Sequence, residues 1–119
     1  MTDELRLAVE RRGPSGAILH TKGYINNVGG EEIANRAYEL LDSGVRTLLL
    51  DLRETKIVNS IGISILIEII EKAMECEGRV AFCCLTSVIS KTFHIMGLAQ
   101  YAQIFDSEED AIAQLGLAA

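Results

Sequence analysis

Large apolar residues alternate with charged or smaller ones at the start of the chain, Leu5, Leu7 and Val9 against Arg6, Ala8 and Glu10. This is the period of a half-buried strand. Arg11-Arg12-Gly13-Pro14-Ser15-Gly16 reads as a turn and Ala17–Ile25 as a second strand, and so short a connection permits only an antiparallel hairpin. Asn26–Gly30 reads as a flexible turn. The period then lengthens: Ile33, Ala37, Leu40 and Leu41 share one helical face, and Gly44 stops that helix. Val45–Leu52 is almost wholly apolar, which predicts a central strand covered on both faces, closed by the polar turn Arg53-Glu54-Thr55-Lys56.

Beyond that turn a helix is predicted from Ser60 or Ile61 to about Glu77, with Gly78 as its stop signal. Val80–Leu85 reads as another buried strand. Ser87 should cap a helix whose core face takes Val88, Phe93 and Ile95 or Met96, ending at Gly97. A short strand, Gln103–Phe105, leads through Asp106–Glu109 into a closing helix that reaches about Leu115. Strands alternating with helices after one opening hairpin predict a single α/β domain over residues 1–119. Its mixed sheet should have four or five strands, antiparallel at the start and parallel beyond, with about four helices and right-handed crossovers.

The predicted helix over 61–77 has two apolar faces. At 100° per residue Ile63, Leu66, Ile67, Ile70 and Met74 form one stripe, suited to the sheet. Ile61, Ile65 and Ile69 form a second row at i, i+4 and i+8 on roughly the opposite side. Either neighbouring helices cover this row, or it is a partner surface rimmed by Glu68, Glu71, Lys72 and Glu75. Ser60 sits where an N-cap is wanted. A phosphoryl group on its oxygen would meet the positive helix end and also place about two negative charges beside the isoleucines. Cap and switch both remain open.

Composition narrows the function classes. With a formal net charge of -6 and no Lys/Arg cluster, direct nucleic-acid binding has nothing to neutralise the phosphates. The longest apolar stretch, around Ile61–Ile70, is broken by Ser64 and Glu68, so no membrane span is expected and the reading is a soluble cytoplasmic protein. Cys76, Cys83 and Cys84 suit no disulfide framework, since adjacent cysteines in a strand point to opposite faces. No C-x-x-C or H-x-x-x-H pair anchors a metal site, and no cofactor is expected. Gly29-Gly30 before a helix hints at a phosphate cradle, but Glu31 and Glu32 in the first turn would repel a phosphate. His20 reads as a lone surface or edge histidine, and no nucleophile, base and orienting group stand at a recognisable spacing, so no catalytic residue is assigned.

Leu50-Asp51-Leu52, a short turn, Val58-Asn59-Ser60-Ile61-Gly62-Ile63, and later Met96-Gly97-Leu98 with Ile104–Ala111 carry a resemblance. In this order they resemble a STAS domain of the bacterial anti-sigma factor antagonist type, over nearly the whole chain. In that family the turn usually reads Asp-Ser-Ser/Thr-Gly, and an anti-sigma factor that is also a serine kinase phosphorylates the hydroxyl residue before the glycine. The unphosphorylated antagonist binds the kinase and releases the sigma factor. Here Asn59, Ser60, Ile61 and Gly62 fill those places, so isoleucine stands at the phosphoacceptor position, with Ser60 as the nearest substitute and Ser64 a turn further on.

The resemblance implies a regulatory, non-enzymatic module that binds an anti-sigma factor or a histidine-kinase-like ATPase domain through residues 57–69. Asn59, Ser60, Ile61, Gly62, Ser64, Ile65 and Ile69 are the expected contacts and Ser60 the candidate phosphorylation site. The alternative is a structural or accessory subunit of a transporter or signalling assembly without a phosphoswitch. A homodimer is compatible with either.

Overall fold

A computed structural model describes residues 4–118. The chain runs β1 (Arg6–Arg12), β2 (Gly16–Ile25), α1 (Asn27–Asp42), β3 (Thr47–Val58), α2 (Ser60–Glu75), β4 (Arg79–Cys83) and α3 (Ser87–Met96). A short 3-10 turn (Leu98–Gln100), β5 (Gln103–Phe105) and α4 (Glu108–Leu115) complete it. The five strands lie in the order β1-β2-β3-β4-β5. β1 is antiparallel to β2 and all other pairs are parallel, as the hairpin and the strand–helix alternation predicted.

Strand alternation divides the core in two. Leu19, Leu48, Leu50, Leu52, Val80 and Phe82 face one side, where α1, α2 and α3 bury Ile33, Leu40, Leu66, Ile70 and Phe93 against them. Ile18, Leu49, Ala81 and Cys83 face the other, covered by Ala111 and Leu115 of α4 and by Leu117. Phe82 and Phe93 meet edge to face with ring centroids 5.0 Å apart, which ties α3 to the sheet.

Several sequence expectations are corrected. Arg53–Lys56 is not a turn: β3 continues to Val58 because β2 runs beside it, pairing Lys22 with Glu54, Gly23 with Thr55 and Ile25 with Val58. Thr55 is fully buried there, its hydroxyl 2.6 Å from that of Thr21, while the exposed Arg53, Glu54 and Lys56 give the segment its polar look. Gly29 and Gly30 are not loop residues but lie inside α1, where backbone and side chains approach too closely for a Cβ. Asn59 and Thr86, not Ser60 and Ser87, are the N-caps of α2 and α3, each one residue earlier than expected. On α3 the buried residues are Ile89 and Phe93, whereas Val88, Ile95 and Met96 are exposed.

Candidate functional site

The junction of β3 and α2 is built by three constraints. Asn59 donates its backbone N–H to the Ile25 carbonyl at 3.1 Å, which pins the start of α2 to the end of β2. Its side-chain Oδ1 accepts the Gly62 N–H at 2.7 Å, satisfying one of the free amides of the first helical turn. Gly62 then presses against the Ile25 carbonyl, where any Cβ would collide with backbone. α1 begins in the same way one strand over, with Asn26 Oδ1 accepting from Gly29 N–H at 2.9 Å and Gly29 against the Tyr24 carbonyl. Two capped helix starts therefore lie at the same end of the sheet.

The expected contact residues do not form one surface. Ser60, Ile61 and Ser64 are exposed, Asn59 and Ile65 are half-buried, and Gly62 is buried as a spacer. Ile69 is fully buried. The second isoleucine row is split because α1 packs along α2: Ile65 lies over Gly30 and Ile69 joins the main core, leaving only Ile61 open, 53% exposed. Val28 of α1 and Ile57 at the end of β3 are exposed at the same end of the molecule. The hydroxyl of Ser64 donates to the Ser60 carbonyl at 3.1 Å, and Ser60 is the first residue of the helix rather than its cap.

A second polar centre, not foreseen from spacing, lies on the α4 side of the sheet. His20 is not a lone histidine: its Nε2 is 3.0 Å from Glu10 Oε1 and its Nδ1 3.2 Å from Asp51 Oδ2. Glu108, the first residue of α4, lies 3.9 Å from His20 Nδ1 and 3.8 Å from the Arg53 guanidinium. Burial alone would lower the His20 pKa, but its bonds to Glu10 and Asp51 and the nearby Glu108 charge hold it above the ordinary value. Glu10 is held low, first by its bond with His20 and then by Arg12. Burial would raise Asp51, yet the neighbouring Glu108 carboxyl, the Arg53 backbone N–H and His20 hold it low, while Asp51 and burial push Glu108 up. With a carboxylate at each ring nitrogen, His20 is set up to be an imidazolium that ties β1, β2 and β3 together. The only sequence signal for this cluster was register: His20 and Asp51 are paired positions on adjacent strands.

Comparison with known proteins assigns the fold. The family model of the STAS domain matches residues 7–111. The chain belongs to the STAS domain family. BtrV of Bordetella bronchiseptica, named for an anti-sigma factor antagonist role, is 23% identical over 92 residues, which is 77% of this chain and 79% of BtrV. Among solved structures, an anti-sigma factor antagonist from Mycobacterium paratuberculosis matches with a TM-score of 0.83 at 18% identity, covering 96% of each chain. The anti-sigma factor antagonist SpoIIAA in its unphosphorylated form matches with a TM-score of 0.80 at 16% identity, covering 92% of this chain and 96% of that one. The phosphorylated form of Bacillus SpoIIAA gives 0.75 at 16% identity, with 92% and 99% covered. At such identities the likeness is one of fold: the mixed five-stranded sheet with four helices is the STAS fold of these antagonists. Among the described residues of this STAS domain, no helix is long and apolar enough to cross a membrane.

Proposed function

We propose that this STAS domain is a single-domain regulatory binding module that docks an anti-sigma factor, or a histidine-kinase-like ATPase domain, through the exposed start of α2. Ser60, Ile61 and Ser64 form the contact surface, and Asn59, Gly62 and Ile65 hold it in shape. The observation that carries this reading is Ile61. It lies more than half exposed at the position that the family resemblance assigns to the phosphoacceptor, and it has no oxygen to receive a phosphoryl group. The module therefore binds without the usual off-switch, and it acts by association, with no reaction of its own. An exposed isoleucine flanked by Ser60 and Ser64 and backed by the Asn59 cap suits the centre of a small interface.

Calorimetry with a purified anti-sigma factor kinase tests this. Ile61→Glu should weaken the complex at least about tenfold, roughly 1.4 kcal/mol, while Ile95→Glu on α3 should leave it unchanged. Equal binding by wild type and Ile61→Glu would remove the proposed surface.

A second reading, a structural subunit of a larger assembly, is favoured by a different surface. Ile67, Ile70, Met74, Met96, Leu98 and Tyr101 line an apolar groove of about 480 Å³ between α2 and the end of α3. Light scattering separates the two: a large homo-assembly dispersed by Met74→Glu favours the subunit, and a monomer favours the binding module.

A further inference from the structure

Consecutive side chains in a strand leave opposite faces, yet Cys83 and Cys84 do not obey this. β4 stops at Cys83, and Cys84 takes φ 65°, a left-handed conformation that costs a non-glycine residue about 1–2 kcal/mol. The turn brings both sulfurs and the Asp51 carboxylate within 4.8 Å of one another. These groups belong to a row. His20 pairs with Asp51 across β2 and β3, and Asp51 pairs with Cys83 across β3 and β4, so three adjacent parallel strands carry imidazole, carboxylate and thiol on the face under α4. One step back along the same strands that face carries only Ile18, Leu49 and Ala81. The row lies at the end of β4, while β2 and β3 continue past it to Ile25 and Val58.

The carboxylate is already held in place. Asp51 is buried, its Oδ1 accepting from the Arg53 backbone N–H at 3.0 Å and its Oδ2 facing His20 Nδ1 at 3.2 Å. Ligating carboxylates are oriented by such outer hydrogen bonds. Glu108 adds a second carboxylate beside it.

We propose that Asp51, Cys83 and Cys84 form a binding site for a thiophilic divalent cation of the Zn2+ class, with His20 as a positioning residue behind Asp51. Two sulfurs and one carboxylate suit Zn2+, whereas Mg2+ and Ca2+ take oxygen ligands. Zn–S bonds of about 2.3 Å in a tetrahedral site space the donors roughly 3.3–3.8 Å apart, so donors now within 4.8 Å of one another close by at most about 1–1.5 Å per pair. Glu108 or water fills the fourth position. As the ion binds, both thiol protons leave to solvent, and with water in the fourth position one dication, two thiolates and one carboxylate carry a net single negative charge. The Arg53 guanidinium, 3.8 Å from Cys84 Sγ, balances that charge.

Co2+ is the probe. Titrated into the reduced, metal-free full chain, it should give thiolate-to-Co2+ charge-transfer absorption that saturates at one equivalent and is bleached by Zn2+. Cys84→Ser and Asp51→Asn should each abolish the band or weaken Co2+ binding at least about tenfold, with circular dichroism showing that both variants fold. His20→Ala should keep the charge-transfer band while weakening affinity by about 10–100-fold, the usual effect of removing an outer partner. Absence of the band at stoichiometric Co2+, or an unchanged band in Cys84→Ser, overturns the site. Co2+ binding seen by calorimetry without a charge-transfer band, lost in Glu10→Gln but kept in Cys84→Ser, would place the ion on Glu10, His20 and Glu108, and would overturn it equally.

Discussion

Ile65 packs into the space where residue 30 would carry a Cβ: an atom built there would lie 2.9 Å from Ile65 Cδ1 and 3.3 Å from its Cβ. This contact decides what the isoleucine row is for. It draws α1 against α2, buries Ile69 in the seam and ends the covered part of the row one turn short of Ile61. Truncation should separate the two ends. Ile69→Ala opens a cavity in a closed seam and should cost about 2–4 kcal/mol, whereas Ile61→Ala should stay within about 0.5 kcal/mol of wild type. Urea unfolding monitored by circular dichroism measures both.

The cap and the spacer at the head of α2 make a second pair of expectations. Asn59→Ala removes the acceptor for the Gly62 amide and should cost about 1 kcal/mol, with Asn59→Asp recovering most of it. Gly62→Ala would gain helix propensity at an ordinary position, but here the methyl meets the Ile25 carbonyl, so a loss of about 1–3 kcal/mol is expected. Thermal unfolding of the three variants checks this ordering.

His20 predicts a pH dependence. Its folded pKa lies above the reference value of 6.5, so the folded state favours the imidazolium. The stability it contributes is fully present below about 6.5 and is lost as pH rises through the higher folded value. In the presence of a chelator, the stability difference between wild type and His20→Gln should hold steady below about pH 6.5 and shrink above it in urea titrations. A difference that grows with pH would show that the imidazole is held neutral.

Much of the fold was legible because period and punctuation agreed. The hairpin, the apolar run into Leu52 and the glycines at 44, 78 and 97 mark boundaries through local chemistry alone. What misled was chemistry that depends on neighbours. Arg53–Lys56 looks like a turn unless one knows that β2 continues beside it. Val88 and Ile95 look like core residues because periodicity reports apolar character, not which side of α3 meets the sheet. Serine and asparagine are both good caps, so Ser60 reads as one, and only backbone geometry chooses Asn59. The junction of β3 and α2 is marked in the sequence by its isoleucines and the family turn, but the burial of Ile69 depends on α1. The His20 cluster was missed because its members are far apart in sequence and meet only through strand register and the start of α4. Cys83 and Cys84 are free, as their placement in the sequence predicts, but the left-handed turn at Cys84 that brings their sulfurs near Asp51 leaves no trace in residue spacing.

The proposed docking surface at the start of α2 carries Ile61 where a phosphoacceptor would stand. Intact-mass measurement after incubation with a competent anti-sigma factor kinase and ATP tests it most directly, on wild type and on Ile61→Ser. The account predicts no mass gain for wild type, whose complex persists in ATP, and one phosphoryl group on Ile61→Ser with loss of the complex. A phosphoryl gain on wild type that disappears in Ser60→Ala would contradict it.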